Sequence, residues 1–301
     1  KKSKIILIRH AESGFNKSLK VMQEKITLEN EQTKLHKKMS THREHVDSFI
    51  TEKGKDQCIK AGKELSNIPI KYVFTSPLRR SLETCKLVLQ SKFAEDNEEK
   101  NLIPIKEITN KKYGDIKIIV HPYLFEKIED SCDLIENIYK NRDDYKEFDW
   151  SLFNDFNRNN ILFYQANFCD NIHHSDENKK NYLDEIKNLI EEKEIKNNNE
   201  IINVYLDVVL KGIGKHFDDD NFIESSSMTI ERLDYFKHFL LDFIEMNKIT
   251  DENFNEKILV FGHSVIFKHM TSKNLLEEDL SPPEEEFKLK NCEYVGIKFD
   301  V

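Results

Sequence analysis

The chain has 301 residues, of which 38% are hydrophobic and 34% are charged, and its formal net charge at pH 7 is -9. This length is enough for one large domain or two small ones with a substantial core. The negative charge argues against a general nucleic-acid binder or a protein that binds acidic membranes, because both need a basic face. Any anion site must therefore be a local group of Arg, Lys and His side chains.

The cysteines are five, widely spaced, and include no C-x-x-C pair. This pattern predicts a reducing, cytoplasmic location and indicates neither a disulfide framework nor a zinc site. The adjacent His173 and His174 are expected at the surface, because neighbouring residues do not share one face of a helix or strand. No apolar run reaches the roughly 20 residues needed to cross a bilayer. We expect neither a metal ion nor a membrane partner.

The first predicted element is a buried strand, the four aliphatic residues Ile5 to Ile8, which is followed at once by Arg9 and His10. Such a run is typical of a sheet covered on both faces, and open α/β sheets bind ligands beyond the carboxyl ends of their strands. Arg9 and His10 are therefore placed where a ligand would bind.

Two predictions concern the stretch that follows. Residues 17 to 43 are rich in Lys and Glu with sparse apolar positions, which predicts a solvated helix or a mobile excursion; a lid over the site is the alternative. Next, Thr51 is a suitable N-cap for an amphipathic helix over Lys55 to Leu65.

A second short strand, Tyr72 to Thr75, runs into Ser76 and Pro77. Ser followed by Pro is a good helix opening, because the hydroxyl caps free N–H groups and Pro fits the first turn. Arg79 and Arg80 are thereby predicted in the first turn, where the helix dipole favours an anion.

A third strand, Lys117 to Val120, precedes Glu126. From about 134 to 222 the chain is dominated by Asn, Lys, Asp and Glu with aromatic islands, which predicts a helical cap. Mobile polar loops are expected within this cap at about 195–200 and 218–221.

The sequence of the last third of the chain predicts a helix, a strand, a second helix and an edge strand, in that order. The first helix shows an apolar stripe that includes Leu233, Phe236, Phe239, Leu240, Phe243 and Ile244. The strand Lys257 to Phe261 ends before His263, and a helix is expected from Val265 to Leu276. The alternating run Tyr294 to Phe299 predicts the edge strand.

These elements alternate along the chain, which predicts a single α/β domain over residues 1–301. We expect a three-layer sandwich with a mostly parallel central sheet, helices on both faces, and a helical or polar cap. The polar insertions are expected at about 17–46 and 134–222.

Three segments resemble motifs of the histidine phosphatase superfamily, the phosphoglycerate-mutase-like enzymes. Arg9 to Asn16 is similar to Arg-His-Gly-x-Ser/Thr-x-x-Asn, with Ala11 in place of the usual Gly. The run from Ile50 to Gln57 resembles Leu-Thr-x-x-Gly-x-x-Gln. Ser76 to Thr84 resembles Ser-x-Leu-x-Arg-Ala-x-x-Thr, whose Arg position is taken by Arg80, so that Arg79 is expected to face solvent.

Later segments extend the resemblance. Glu126 fits the Glu of the family's Pro-x-Leu-x-Glu element, and Ser131-Cys132-Asp133 resembles a stretch of some phosphatase-like branches. Glu224-Ser225 with Arg232 resembles the start of the penultimate helix in cofactor-dependent mutases, and His263 takes the position of the second histidine.

The resemblance implies transfer of a phosphoryl group through a phosphohistidine on His10. Arg9, Asn16, Arg80 and His263 would hold the phosphoryl oxygens, and Glu126 would protonate the leaving alcohol and later accept a proton from water. The imidazole of His10 must be neutral for attack, and nearby arginine charges disfavour the imidazolium. No metal or cofactor is required, because protein cations supply the positive charge.

Three functions remain open. The first is hydrolysis of a phosphomonoester, and the second is a phosphoglycerate mutase, which would use 2,3-bisphosphoglycerate. Against the mutase, Lys112-Tyr113-Gly114 matches only the start of that class's segment, and Asn110 stands where the class carries its Glu. The third is an inactive phosphate-site module that binds a protein. The expected partner is a small phosphorylated metabolite or a phosphoprotein, and formation of a homo-oligomer is left open.

Overall fold

The structure is a computed structural model that describes residues 4–26, 28–94, 102–110, 115–153, 164–165, 182–219, 224–249, 255–271 and 288–297. Five strands form one sheet in this part of the chain: β1 Ile5–Arg9, β2 Ile70–Thr75, β3 Lys117–Val120, β4 Lys257–Gly262 and β5 Tyr294–Ile297. Their order is β3-β2-β4-β1-β5. All neighbouring strands are parallel except β5, which runs antiparallel to β1 at the edge.

The helices connect and cover these strands. In chain order they are α1 Gly14–Lys25, α2 Glu29–Ser40, α3 Glu52–Glu64, α4 Arg79–Lys92, α5 Ile105–Ile108, α6 Ile138–Asp144, α7 Tyr182–Glu192, α8 Asn198–Asp219, α9 Ser226–Met246 and α10 Ser264–Thr271. Short 3-10 helices lie at Arg43–His45, Pro122–Leu124, Ser131–Asp133 and Ser151–Phe153.

Each face of the sheet is covered by its own apolar core. Successive side chains of a strand point to opposite faces, so Leu7 and Ile8 enter different cores. One core joins the sheet to α3 and α4, and the other joins it to α9 and α10. The first includes Ile6, Ile8, Val73, Phe261, Ala61, Leu82 and Val88, and the second includes Leu7, Phe74, Val260, Leu233, Phe236 and Phe267. The predicted sandwich with a mostly parallel central sheet and helices on both faces is confirmed.

The polar insertions are more regular than the sequence predicts. The first contains most of α1 and all of α2, with Met22 buried, and its interpretation as a lid stays a prediction. In the second, α8 begins at Asn198 and ends at Asp219, so the loops expected at 195–200 and 218–221 are wrong where they overlap this helix. The predicted extent of a single domain over residues 1–301 stays a prediction.

Other elements agree with the sequence. Thr51 is the N-cap of α3, and its side chain accepts a hydrogen bond from the backbone N–H of Gly54. The edge strand is present as β5, and α10 covers the first part of the helix predicted to reach Leu276. Within the described residues, no helix combines the length and apolar character needed to cross a membrane.

Candidate active site

His10 lies just beyond the carboxyl end of β1. Its backbone N–H donates to Gly262 O of the adjacent parallel strand at 2.9 Å, which continues the pairing of the two strands. Its ring Nδ1 lies 2.7 Å from Ala11 O. A carbonyl oxygen only accepts, so Nδ1 carries the proton and the lone pair of the neutral ring is on Nε2. Burial, then the charges of Arg80 and Arg9, lower the pKa of His10 well below its usual range.

His263 lies beyond the carboxyl end of β4, beside His10. The ring centroids of the two histidines are 5.1 Å apart. His263 Nε2 is 2.8 Å from Ser76 Oγ, whereas Nδ1 is buried without a hydrogen-bond partner among the described residues. Burial and then the charge of Arg80 lower the pKa of this imidazole. Two neutral imidazoles therefore face one end of the sheet.

Two guanidinium groups border the histidines. Arg9 donates from Nη1 to Leu289 O at 2.7 Å, while its Nε is buried and has no partner in the described part of the chain. Arg80, in the first turn of α4, is 2% exposed and acts electrostatically on both histidine rings. The predicted position of Arg80 at a helix start is confirmed, since α4 begins one residue earlier.

Asp133 lies in the Ser131-Cys132-Asp133 segment and was not predicted as a site residue. Its Oδ1 accepts from Arg80 Nη2 at 2.9 Å, and Arg80 Nη1 donates to Cys132 O. Both charged side chains are buried, and burial raises the pKa of the Asp133 carboxyl although Arg80 opposes the shift. The Ser-Cys-Asp resemblance was the available signal, because it placed an acid shortly after Glu126. Asp133 fixes the plane of the Arg80 guanidinium.

Glu126 follows β3 and is buried near the two arginines. Its Oε1 accepts from the backbone N–H of Lys127 at 3.0 Å and of Ile266 at 3.2 Å. Its Oε2 accepts from Val265 N at 3.2 Å, so the carboxyl group contacts the first turn of α10. Burial raises the pKa of Glu126, whereas the charge of Arg80 and these N–H groups lower it. The net upward direction is what a proton donor near neutral pH requires.

Asn16 is held beside the site by Asn291. Asn291 Nδ2 donates to Asn16 Oδ1 at 3.1 Å and to His10 O at 3.2 Å. Asn16 also completes a capping box with Ser13 at the start of α1. This side chain is therefore fixed relative to the His10 backbone.

The loop after His10 is fixed by α3, which explains the motif Ile50 to Gln57. Glu12 N donates to Gln57 Oε1 at 2.9 Å, and Glu12 O accepts from Thr51 N at 2.8 Å. A Cβ atom on Gly54 would lie 2.5 Å from Glu12 O, which is too close for any side chain. The three motif residues thus hold the backbone of the loop that follows His10.

Arg232 and Glu224 hold the segment that carries Glu126. Arg232 donates to Glu224 Oε1 from Nε at 2.9 Å and from Nη2 at 2.7 Å, and neither side chain is exposed. Its Nη1 donates to Tyr123 O and Phe125 O, both at 2.7 Å. Because these carbonyls flank the turn before Glu126, the ion pair positions the carboxyl group.

Arg79 is buried, so the expectation that it faces solvent is wrong. Its Nε donates to Asn141 Oδ1 at 3.3 Å, and its guanidinium lies 4.4 Å from the centre of the Phe49 ring. The backbone N–H of Arg79 donates to Asp47 Oδ1 at 2.8 Å. Asp47 therefore serves the helix start for which Ser76 was predicted, whereas the Ser76 hydroxyl accepts from Leu78 N and contacts a histidine.

A small group of possible metal ligands lies beside Arg80. Asp130, Cys132 and Asp133 bring ligand-type atoms within 4.8 Å of one another. Asp130 Oδ1 already accepts from Ser40 Oγ, and Asp133 accepts from Arg80. The absence of a metal requirement stays a prediction. His173, His174 and the segment Lys112-Tyr113-Gly114 lie outside the described residues.

Comparison with known proteins supports the sequence resemblance over part of the chain. Residues 5–106 match the family described as histidine phosphatase superfamily (branch 1). A curated relative, 2,3-bisphosphoglycerate-dependent phosphoglycerate mutase 1 of Arabidopsis thaliana, is 48% identical over 44 residues. That match covers 15% of this chain and only 13% of the relative's length.

Solved structures resemble the chain distantly. A phosphoserine phosphatase from Entamoeba histolytica covers 96% of this chain and 87% of its own, with 15% identity and a TM-score of 0.39. An ecdysone phosphate phosphatase from Bombix mori covers 96% and 86%, with 15% identity and a TM-score of 0.41. The mycobacterial glucosyl-3-phosphoglycerate phosphatase covers 98% and 89%, with 10% identity and a TM-score of 0.43. Likenesses at these scores do not assign an activity.

The family match spans the residues that contain Arg9, His10, Asn16 and Arg80, whereas Glu126 and His263 lie beyond it. The recognition made from the motifs is therefore confirmed for residues 5–106, which match the histidine phosphatase superfamily, branch 1.

Proposed function

We propose that the protein hydrolyses a phosphomonoester through a phosphohistidine formed on His10. The observation that carries this proposal is the state of the His10 ring. Its Nδ1 donates to Ala11 O, and burial followed by two arginine charges lowers the pKa of the imidazole. The ring therefore presents an unprotonated Nε2 at neutral pH, which is the form needed to attack phosphorus.

Phosphoryl transfer needs positive charge and hydrogen-bond donors around the three equatorial oxygens. Arg9 and Arg80 supply the charge. Buried Arg9 Nε and His263 Nδ1 have no partner among the described residues, so a phosphoryl group would satisfy polar atoms that otherwise cost free energy. Asn16, held through Asn291, is the remaining proposed contact to the phosphoryl oxygens.

Glu126 is proposed as the general acid and base. It would give its proton to the leaving alcohol oxygen in the first step. In the second step it would take a proton from the water that attacks the phosphohistidine, which restores His10 and releases inorganic phosphate. Its burial favours the protonated form that the first step requires.

The proposal includes no metal and no cofactor, since the arginines supply the charge. The proposed substrate is a small phosphorylated metabolite or a phosphoprotein. A cytoplasmic location, a single domain over residues 1–301 and the absence of nucleic-acid and membrane partners remain parts of the proposal. The widely spaced cysteines support the location, the charge of -9 supports the absence of those partners, and the single sheet of the described residues supports the single domain.

The test uses purified protein and a panel of phosphate esters, including phosphoserine, sugar phosphates and both phosphoglycerates. Phosphate release and phosphoglycerate isomerisation are scored in the same samples. We expect release that is abolished in His10→Ala and greatly reduced in Glu126→Gln. General acid catalysis contributes typically 100-fold to 10,000-fold, so Glu126→Gln should lose that much with alkyl esters.

The matched control is Glu129→Gln, an acid in the same segment that pairs with Lys127 at 2.6 Å and is not proposed to act in catalysis. It should retain the wild-type rate. Isomerisation without phosphate release would favour the mutase, in which 2,3-bisphosphoglycerate serves as cofactor and the phosphohistidine returns its phosphate to a glycerate. No release, no isomerisation and no phosphate on His10 would favour the inactive module.

A further inference from the structure

Two cysteine thiols face each other behind the site. Cys58 belongs to α3, and Cys292 lies in the turn before β5. The Cys58 thiol is in hydrogen-bonding contact with Cys292, and both residues are unbonded cysteines. Cys58 is fully buried, whereas Cys292 is 7% exposed and is flanked by exposed or half-buried residues of the turn.

The Cys292 side of the pair is bonded to the backbone of the proposed nucleophile. Cys292 N donates to Arg9 O and to His10 O, both at 3.2 Å. The preceding residue, Asn291, also donates to His10 O at 3.2 Å. A movement of this turn therefore moves the backbone of His10.

Cys58 is connected to the residues that follow His10 through Thr84. Its thiol contacts the Thr84 hydroxyl. Thr84 Oγ1 accepts from Ala11 N at 3.0 Å and donates to Arg80 O at 2.6 Å. One group of hydrogen bonds thus joins Cys292 to the backbone of Arg9 and His10, and the other joins Thr84, beside Cys58, to Ala11 and Arg80.

The backbone of Cys292 provides an independent observation. Its φ is +60°, in the left-handed region that L side chains adopt rarely and that favours Gly. Residues in such conformations concentrate at ligand sites and switch regions. Here the residue in this conformation carries the thiol that contacts Cys58.

We propose that Cys58 and Cys292 form a site of reversible oxidation by peroxides, and that the resulting disulfide inactivates the enzyme by displacing His10. In the first step, Cys292 sulfur attacks one peroxide oxygen, the O–O bond breaks, and a sulfenic acid and water form. In the second, Cys58 sulfur attacks the sulfenic sulfur, and hydroxide leaves with the thiol proton as a second water. Two thiols are oxidised and one hydrogen peroxide is reduced to two waters.

The order of the two steps follows from the surroundings of each thiol. Cys292 is the more accessible, so peroxide reaches it first. The contact with Cys292 and then burial raise the pKa of the Cys58 thiol, which makes Cys58 the poorer nucleophile toward peroxide. Cys58 loses its proton only as its sulfur bonds to the sulfenic sulfur of Cys292. Cys58 accordingly acts as the resolving thiol.

The disulfide bond requires a shorter separation than thiols in contact. An S–S bond is about 2.05 Å long, which brings the two sulfurs at least about 1 Å closer than non-bonded contact. Because α3 is packed into the core, the turn that holds Cys292 is the part expected to move. A displacement of about 1 Å in reacting geometry costs on the order of 100-fold in rate.

The inhibitory effect rests on the proposed function, whereas the disulfide itself does not, so the experiment measures both. Reduced wild-type protein is treated with hydrogen peroxide, and the disulfide is located by mass spectrometry of non-reduced peptides. Phosphate release is measured on the same samples before and after dithiothreitol. The variants are Cys58→Ala and Cys292→Ser. The control is Cys85→Ala, a buried cysteine of α4 that is outside the proposed pair.

We expect a peptide that links Cys58 to Cys292, a loss of activity on the order of 100-fold, and recovery with dithiothreitol. Both pair variants should keep their activity in peroxide, and Cys85→Ala should behave like the wild type. The proposal is overturned if oxidation yields no linked peptide, or if the linked protein is as active as the reduced one. Untreated protein without phosphatase activity would refute the proposed function alone, because the linked peptide would still report on the thiol pair.

Discussion

The buried ion pair between Arg232 and Glu224 gives the sharpest prediction about how the fold supports the chemistry. In Arg232→Met the methionine fills much of the same volume but removes the hydrogen bonds that the guanidinium donates to Glu224, Tyr123 and Phe125. Glu224 then keeps the hydrogen bond from the backbone N–H of Ile128 at 3.0 Å.

The magnitude follows from the burial of both partners. Neither side chain of the pair is exposed, and removal of one member of a buried pair costs about 3–5 kcal/mol because the other charge is left uncompensated. Adding Glu224→Gln to the same variant supplies the comparison, since the amide is neutral and should leave a smaller deficit. The free energy of unfolding is measured by urea denaturation.

The same variant tests positioning as distinct from stability. If the released segment moves Glu126, hydrolysis of alkyl phosphates falls on the order of 100-fold, because their leaving oxygen needs the proton. Hydrolysis of p-nitrophenyl phosphate, whose leaving group is weakly basic, falls much less. Equal losses for both substrates, in protein that is still folded at the assay temperature, would refute the positioning role.

Three further predictions concern the loop, the arginines and pH. Gly54→Ala and Gly62→Ala each place a Cβ atom 2.5 Å from a backbone oxygen, and each should lower the free energy of unfolding in urea by about 1–3 kcal/mol. Only Gly54→Ala should also lower kcat. Equal kcat values for the two variants would contradict this. Arg80→Lys should lower kcat/KM on the order of 100-fold, whereas Arg79→Lys should lower stability and leave kcat/KM essentially unchanged; the reverse result would exchange the two assignments. Burial lowers the pKa of His121 to about 3. The unfolded state, with a His pKa of about 6.5, therefore binds the extra proton, so stability is highest above pH 6.5 and falls toward pH 3 by up to about 1.4 kcal/mol per pH unit. Urea titrations of His121→Asn should show a flatter fall, and an unchanged slope would show that other groups cause it.

The sequence predicted the sheet and the polar residues at its strand ends because both depend on local signals. Short apolar runs that end in Arg9-His10 and in His263 mark strands whose carboxyl ends lie together in a parallel sheet. The pairing of Arg9 with Gly262 in adjacent strands then places the two histidines side by side. Their juxtaposition follows from the strand order, in which β1 lies next to β4 and which was not predicted from the sequence.

Arg79 and Asp133 could not be placed from the sequence because their partners are distant. Asp47, just after the first polar insertion, and Asn141, in the second, hold Arg79, and the composition around both favours solvent exposure. The Arg80 to Asp133 pair likewise joins residues 53 positions apart. From a single sequence, charged residues of either sign are predicted to lie at the surface. Only the tertiary structure shows which charged side chains are buried together.

The two ends of helix α8 were predicted as loops for a different reason. Its buried positions include Ile202, Tyr205, Leu206, Val209 and Ile213, which recur at the three- and four-residue spacing of a helix. The polar residues at both ends outweighed this periodicity in the prediction of loops. The spacing of the apolar residues therefore predicts the helix better than the polar composition of its ends does.

The central claim is that His10 carries the phosphoryl group, and rapid quenching of a reaction with a hydrolysed substrate tests it most directly. We predict phosphate on the peptide that contains His10, stable in alkali and labile in acid, and absent from His10→Ala. Phosphate on another residue, or substrate turnover by His10→Ala, would contradict the account.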